Sequence, residues 1–160
     1  MSKILEKVVS YQLLSHLNCY NLFSSFQSAY RPGHSTETAL LKVVNDLLSA
    51  LDEGEFLILV LLDLSAAFDT IDHDILLHRL HHVFGIQDTA LSWFRSYLTN
   101  RFQMVSIKGT LSDPVELCYG VPQGSVLGPI LFILYMQPLS HVILNHSVSH
   151  MLYADDTQVY

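Results

Sequence analysis

The feature that most constrains the fold is an unbroken apolar run, Phe56 to Leu62, which ends on an acid, Asp63. Gly54 bounds the run on its other side, and most of its side chains are branched. A membrane-spanning helix needs about 20 apolar residues, so this run is far too short to cross a bilayer. Its length and composition are typical of a strand that other elements cover on both faces. We therefore predict a strand buried on both faces.

Segments on either side of this run have the apolar periodicity and the end signals of helices. Ser35 is a predicted N-cap, and Glu37 lies in the first turn, near the positive helix end. Gly128-Pro129 opens the last helix, since proline is tolerated in a first turn. The predicted helices run from about Lys3 to Leu17, Ser35 to Gly54, Asp72 to Phe84, Asp88 to Leu98 and from Gly128 onwards.

Alternating apolar and polar residues predict a hairpin that pairs Phe102 to Lys108 with Val115 to Tyr119 around Gly109 to Pro114. A second, tight hairpin is predicted from Ser149 to Tyr153 and Thr157 to Tyr160, because these segments flank Asp155-Asp156. Helices and strands are interleaved, and the last two strands are adjacent. This order predicts a single α+β domain whose sheet is covered by helices on one face.

Acids follow the ends of two predicted strands. Asp63 stands directly after the apolar run, and Asp155 and Asp156 form the tip of the last hairpin. If the two strands are neighbours, three carboxylates converge, and clusters of oxygen ligands suit hard cations such as Mg²⁺. Two such ions can stabilise both oxygens of a phosphoryl transfer. The alternative is structural, because aspartates are common in turns. The pattern of acids alone leaves both interpretations open.

The charge balance bears on possible partners. The chain of 160 residues is 50% hydrophobic and 14% charged, as expected for globular material. Its net charge is −7, with only eight Lys and Arg residues. Because Lys and Arg hold phosphate backbones, either the chain does not bind nucleic acid or the basic surface lies in sequence outside it.

Cysteine usage and the N-terminus bear on location. Cys19 and Cys118 form neither a disulfide framework nor a metal-ligand spacing, which favours a reducing compartment. Lys3, Glu6 and Lys7 interrupt the apolar residues of the N-terminal segment, so no signal peptide is predicted. We expect an intracellular protein, in the cytoplasm or nucleus, that does not bind membranes.

Four segments stand out in order along the chain: Gln27 to Thr36, Leu62 to Asp69, Gly120 to Pro129 and Tyr153 to Asp156. They resemble, in turn, the first fingers motif, motif A, motif B and the YADD turn of motif C of reverse transcriptases from non-LTR (LINE-type) retrotransposons. The resemblance covers about Ile4 to Tyr160. It implies a polymerase right hand, with fingers over about 1–55 and 86–121 and a split βαβ, ferredoxin-like palm over about 56–85 and 122–160. The later palm motifs and the thumb are not in this sequence, so we expect a truncated fragment.

The resemblance also implies the ligands of two metal ions. Asp63, Asp155 and Asp156 match the catalytic, metal-binding carboxylates, and the Leu64 carbonyl matches a further metal contact. The expected cofactor is Mg²⁺, as two ions, with Mn²⁺ as a possible substitute.

A second set of positions matches the nucleotide-binding residues of the family. Ser65, Ala66 and Ala67 match a turn whose backbone N–H groups face the incoming triphosphate, where small residues allow close approach. Phe68 matches the aromatic residue under the sugar that discriminates against a 2′-hydroxyl. The remaining matches are Gln123 and Gly124 beside the nucleotide and template, and Arg31 toward the triphosphate; His34 stands where relatives often have arginine.

The implied function is that of an RNA-directed DNA polymerase, a nucleotidyltransferase that adds deoxynucleotides to a primer 3′-hydroxyl. Its partners in a full-length protein are an RNA template, a DNA primer and deoxynucleoside triphosphates. Two alternatives stay open: a catalytically inactive truncated retrotransposon remnant, and an RNA-templated RNA polymerase palm, against which Phe68 and the Tyr153 to Asp156 turn argue. For this fragment we expect weak or no nucleic-acid binding.

Other chemically suggestive residues receive a structural interpretation. His73, His78, His81 and His82 crowd one segment, and a solvated helix face is favoured over a zinc site. Asp69 and Asp72 are predicted caps of the following helix. Trp93, Phe94 and Tyr97 have helical spacing and are predicted to pack in the core rather than to stack on bases.

Overall fold

The computed structural model describes residues 2–160, and five α-helices form within that range. They are α1 (Ser2–Cys19), α2 (Thr36–Asp52), α3 (His73–His82), α4 (Asp88–Leu98) and α5 (Gly128–Leu144). Each of the five lies where the sequence predicts one. No helix in this range is long and apolar enough to cross a membrane.

The helix ends follow from their capping residues. Ser35 Oγ accepts from the Thr38 N–H, and Thr38 Oγ1 accepts from the Ser35 N–H at 2.9 Å, which completes a capping box for α2. The Asp72 carboxylate accepts from the Ile75 N–H at 2.9 Å and caps α3. The predicted caps at Ser35 and Asp72 are therefore confirmed.

The strands form one sheet and two short ladders. They are β1 (Val60–Leu62), β2 (Phe102–Gln103), β3 (Ser106–Ile107), β4 (Thr110–Leu111), β5 (Val115–Glu116), β6 (His150–Tyr153) and β7 (Asp156–Val159). The sheet has the order β1-β7-β6, and both of its pairings are antiparallel. The predicted 102–119 hairpin forms as two separate ladders, β2 with β5 and β3 with β4. Both hairpin predictions are thus confirmed in outline.

The prediction of a strand buried on both faces is wrong for β1. Only Val60–Leu62 form a strand, and all three side chains are exposed. Earlier in the apolar run, Phe56 is fully exposed and Ile58 is 79% exposed. An apolar run indicates a tendency to be buried, but burial also needs elements packed on each face. β1 pairs with β7 along one edge, and the described residues do not cover its faces.

The prediction that helices cover one face of the sheet is also wrong, because β6 is covered on both. Successive side chains of a strand point to opposite faces. Met151 packs with Ala39 and Val43 of α2, whereas the His150 ring is hydrogen-bonded to Ser140 of α5 on the other side. The sheet is therefore inserted between two helices at β6 and left open at β1.

The main core lies between α3, α4 and α5, with α1 against it. Its fully buried members include Leu17, Leu76, Leu80, Leu98 and Leu131. Phe94 is buried there too, and Trp93 and Tyr97 pack against the same cluster with their rings stacked at 5.3 Å. The prediction that these aromatic residues pack in the core is confirmed.

Candidate active site

The register of the sheet decides where the predicted acids lie. Leu62 of β1 pairs with Thr157 of β7, so Asp63 follows β1 at the level of Asp156, the first residue of β7. The β6–β7 hairpin places Asp155 in the turn just before it. β1 and β6, the two strands that lead to the acids, are not neighbours, because β7 lies between them. Asp63 and the adjacent pair Asp155 and Asp156, which are far apart in sequence, nevertheless share one end of the sheet, since β7 pairs with both strands and begins at Asp156.

The side chains of these acids are not gathered around one point. Asp63 and Asp156 are exposed and Asp155 is half-buried. Within residues 2–160, no three acidic, histidine or cysteine side chains form a group that could hold a metal ion. The donor chemistry nevertheless fits a hard divalent cation, since all three are carboxylates.

The turn that carries Asp155 has an unusual backbone. Tyr153 pairs with Asp156 across a two-residue connection, and Ala154, the first connecting residue, has a φ of +55°. A positive φ at this position occurs in type II′ hairpin turns, where glycine is favoured. Alanine pays a steric cost in the left-handed region. The conformation of this turn therefore depends on contacts from elsewhere in the fold.

The segment after β1 makes a tight turn that ends in the core. Ala66 has a φ of +55°, and its carbonyl accepts from the Asp69 N–H at 2.9 Å. Ser65 and Ala66 are exposed, and Ala67 is buried. The Phe68 ring lies 5.0 Å from the Phe132 ring of α5. The side of the turn that is open to a ligand thus consists of small residues.

The loop before α5 is hydrogen-bonded to this turn. The Val121 N–H donates to the Phe68 carbonyl at 3.0 Å, and the Gly120 N–H donates to the Ile71 carbonyl at 2.8 Å. Gly120 has a φ of +83°, and a Cβ there would lie 3.1 Å from the Asp69 Cα atom. Glycine is therefore required at this crossing, where the backbones of motifs A and B touch.

A side-chain contact also joins the two motifs. Gln123 Nε2 donates to the Asp69 carboxylate at 3.1 Å. The prediction that Asp69 caps α3 is wrong, because Asp72 occupies that position and Asp69 bonds to Gln123 instead. Gly124 has a φ of +70° and open space around it, so its backbone is accessible. The contact between Asp69 and Gln123 spans 54 positions, and local sequence pattern gave no sign of it.

Arg31 is held within its own loop. Its Nη1 donates to the Ser24 carbonyl at 2.6 Å and to the Gln27 carbonyl at 2.9 Å. Its guanidinium carbon lies 4.9 Å from the centre of the Phe23 ring, and burial lowers its pKa. His34 Nδ1 lies 3.3 Å from Ser28 Oγ in the same loop. The described contacts of Arg31 thus stabilise the loop itself.

Two residues of this loop, to which the sequence analysis gave no role, lie beside the acids. Gln27 is 3% exposed, and its side-chain amide bonds to both backbone groups of Ala154. The pKa of Tyr30 is raised by burial and by the nearby charges of Asp155 and Tyr153. The signal that could have identified Gln27 is its place at the start of the fingers motif.

Comparison with known proteins identifies the class. The whole sequence, residues 1–160, matches the family "Reverse transcriptase (RNA-dependent DNA polymerase)", and the chain belongs to that family. Its relatives place it among the reverse transcriptase domains of non-LTR (LINE-type) retrotransposons.

Two relatives from Drosophila melanogaster define that placement. The chain is 32% identical over 164 residues to the RNA-directed DNA polymerase from mobile element jockey, covering 99% of this chain and 18% of that protein. It is 31% identical over 139 residues to a probable RNA-directed DNA polymerase from transposon BS, covering 87% of this chain and 15% of that protein. The chain thus spans less than a fifth of the length of these curated relatives.

Solved structures support the fold. The chain is similar to telomerase from Candida albicans in complex with a fragment of telomeric RNA, with a TM-score of 0.66, 16% identity, and coverage of 96% of this chain and 29% of that chain. Apo telomerase from Candida tropicalis, truncated from its C-terminal domain, gives a TM-score of 0.66 at 14% identity, covering 99% of this chain and 34% of that one. At these identities the likeness concerns the fold alone, and it agrees with the predicted fingers and palm.

Proposed function

We propose that this chain is the catalytic part of an RNA-directed DNA polymerase that extends a primer 3′-hydroxyl with deoxynucleotides. The observation that carries the proposal is the register of Leu62 with Thr157, which sets Asp63 beside Asp156 at the end of the sheet where Asp155 also lies. Family membership supports the same activity. No feature of residues 2–160 favours the inactive alternative.

The acids are proposed to hold divalent metal ions, which reverse transcriptases use, and we propose that these are two Mg²⁺ ions. Asp63, Asp155 and Asp156 supply carboxylate ligands, and the Leu64 carbonyl supplies a further one. Bound ions of this kind neutralise charge on the attacking and leaving oxygens of a phosphoryl transfer. In the reaction, the primer 3′-hydroxyl loses its proton to solvent and its oxygen forms a bond to the α-phosphorus. The bond from the α-phosphorus to the oxygen that bridges to the β-phosphate breaks, and pyrophosphate leaves.

Other residues are proposed to position the nucleotide. The backbone N–H groups of 65–67 face the triphosphate, because all three residues are small and Ser65 and Ala66 are exposed, which lets a phosphate approach the main chain. Phe68 excludes the 2′-hydroxyl, and Gln123 and Gly124 lie beside the nucleotide and template. Arg31 is proposed to reach the triphosphate as well. Because its Nη1 already donates to two loop carbonyls, it must do so with its other N–H groups.

The division of the chain and its partners belong to the same proposal. Residues 1–55 and 86–121 form the fingers, and 56–85 and 122–160 form the palm. The substrates are an RNA template, a DNA primer and deoxynucleoside triphosphates. Because this chain carries a net charge of −7, the positive surface that holds the duplex is proposed to lie in other parts of the protein.

Primer extension by a protein that joins this chain to the segments completing its relatives tests the proposal. We expect DNA synthesis on an RNA template with Mg²⁺ or Mn²⁺. Asp155→Asn should lower the single-turnover rate by at least about 100-fold, because a metal ligand is lost. Asp113→Asn, at an exposed hairpin position, is the matched control and should leave the rate unchanged. Equal rates for the wild type and Asp155→Asn would contradict the proposal.

A further inference from the structure

A single side chain joins the first fingers motif to the turn that carries Asp155. The Oε1 atom of Gln27 accepts from the Ala154 N–H at 3.1 Å and from the Ala29 N–H at 2.9 Å. Its Nε2 atom donates to the Ala154 carbonyl at 3.4 Å. One amide therefore bonds to both backbone groups of one residue, and that residue lies 127 positions further along the chain.

The backbone of Gln27 is itself anchored to the sheet. Gln27 forms a parallel bridge with Leu152 of β6. On either side of that bridge, the Leu152 N–H donates to the Phe26 carbonyl at 2.8 Å and the Ser28 N–H donates to the Leu152 carbonyl at 3.0 Å. The amide is thus presented from a fixed main chain. It is also 3% exposed, so water does not compete for its partners.

The contact falls on the residue of the turn that most needs support. Ala154 has a φ of +55°, a region that residues other than glycine occupy at a steric cost. Of the described hydrogen bonds, only the one to Gln27 engages the Ala154 N–H. Bonds to both polar groups of a residue restrict the peptide planes on its two sides. The peptide after Ala154 leads directly into Asp155.

We propose that Gln27 is a positioning residue: its amide holds Ala154 in the left-handed conformation and so fixes the direction in which Asp155 leaves the turn. The inference rests on the proposed function of Asp155. It also means that the fingers motif is mechanically connected to the acidic end of the sheet, through the loop that contains Arg31. A buried, satisfied glutamine with no such role would stabilise the fold without affecting the geometry of Asp155.

The first test measures the turn directly and needs no enzymatic activity. In Gln27→Met, a side chain of similar length that cannot make these hydrogen bonds, backbone amide exchange at Ala154 should accelerate by at least about tenfold as its partner is lost. Exchange at Leu152, which donates to a backbone carbonyl, should stay slow and serves as the internal reference. Unchanged exchange at Ala154 would overturn the inference.

The second test measures the consequence for the metal site and for catalysis. Gln27→Met should weaken Mn²⁺ binding, followed by electron paramagnetic resonance, and should lower the single-turnover extension rate by about 10- to 100-fold, since small misplacements have effects of that size. The KM for deoxynucleotides should change little. Gln87→Met makes the same chemical change at an exposed glutamine without a capping bond and should match the wild type.

Rescue separates positioning from simple stabilisation. Ala154→Gly in the Gln27→Met background should restore part of the rate and of the Mn²⁺ affinity, because glycine adopts a positive φ without the steric cost. A double variant no better than Gln27→Met would mean that Gln27 only stabilises the fold, and the inference would be wrong. If the wild type itself does not extend primers, the proposed function fails, while amide exchange and Mn²⁺ affinity still decide the role of Gln27.

Discussion

At the residue scale, several side chains serve the core and the proposed site at once. Phe68 is half-buried and its ring contacts Phe132 of α5. Gly120 carries no side chain, yet the crossing of motifs A and B depends on it. A substitution at Phe68 should therefore change nucleotide selection, whereas a substitution at Gly120 should change stability.

Phe68→Val should relax discrimination against ribonucleotides more than it lowers deoxynucleotide incorporation. Removing the ring leaves space for a 2′-hydroxyl and leaves the acids in place. Because the ring is only half-buried, we expect a stability loss of about 1–2 kcal/mol. Single-turnover incorporation of matched ribo- and deoxynucleotides measures the effect. Equal losses for both substrates would show that Phe68 acts only in packing.

Gly120→Ala should lower the free energy of unfolding by about 2 kcal/mol or more, because the new methyl group meets the Asp69 backbone at 3.1 Å and φ is +83°. Gly54→Ala is the matched control. Gly54 has a similar φ of +78° but nothing within 4 Å, so only the conformational cost of about 1 kcal/mol applies. Urea denaturation compares them, and equal losses would mean that the close approach to Asp69 is unimportant.

At the element scale, what could be predicted depends on how local the determining interaction is. The helices were predictable because their caps, such as Ser35 and Asp72, act within one turn. The exposure of β1 was not predictable from the sequence, since the burial of a strand depends on the elements that pack against it. The bonds from Gln27 to Ala154 join residues far apart in sequence, so no local pattern indicates them. The positive φ of Ala154 could not be predicted from the sequence either, because alanine does not favour that conformation.

A buried histidine in β6 should make the stability of the fold depend on pH. His150 is fully buried and burial lowers its pKa. The unfolded chain then binds a proton that the folded chain does not, so stability should fall as the pH drops below the ordinary histidine value of about 6.5. Urea denaturation between pH 7.5 and 5.5 measures the slope. His150→Gln should flatten it, whereas His146→Gln at an exposed position should not; an unchanged slope in His150→Gln would contradict the assignment.

At the scale of the whole molecule, the net charge and the exposed apolar surface are the features that bear on association with other molecules. The chain carries a net charge of −7, and the run around β1 leaves Phe56, Ile58 and Leu61 open to solvent. α2 adds Leu40, Leu41 and Leu48. Exposed patches of this kind favour association with other surfaces, and an acidic chain repels a phosphate backbone.

We therefore expect these 160 residues, by themselves, to extend a primer at no useful rate. Much of the catalysis in phosphoryl transfer comes from positioning, and a chain of net charge −7 holds a duplex poorly. The measurement is primer extension with Mg²⁺ or Mn²⁺ at low salt, with Asp155→Asn as the control. Robust synthesis that the control abolishes would contradict this expectation and would support the proposed site.

The strand order β1-β7-β6 also has a consequence during protein synthesis. The central strand, β7, is made last, and β1 has no other partner in the sheet. Ribosomes add about 5–20 residues per second, so the apolar run of β1 waits on the order of ten seconds for the strand that pairs with it. During that interval it is an exposed, aggregation-prone segment of the kind that chaperones bind. The acidic end of the sheet therefore assembles only once β7 has been synthesised.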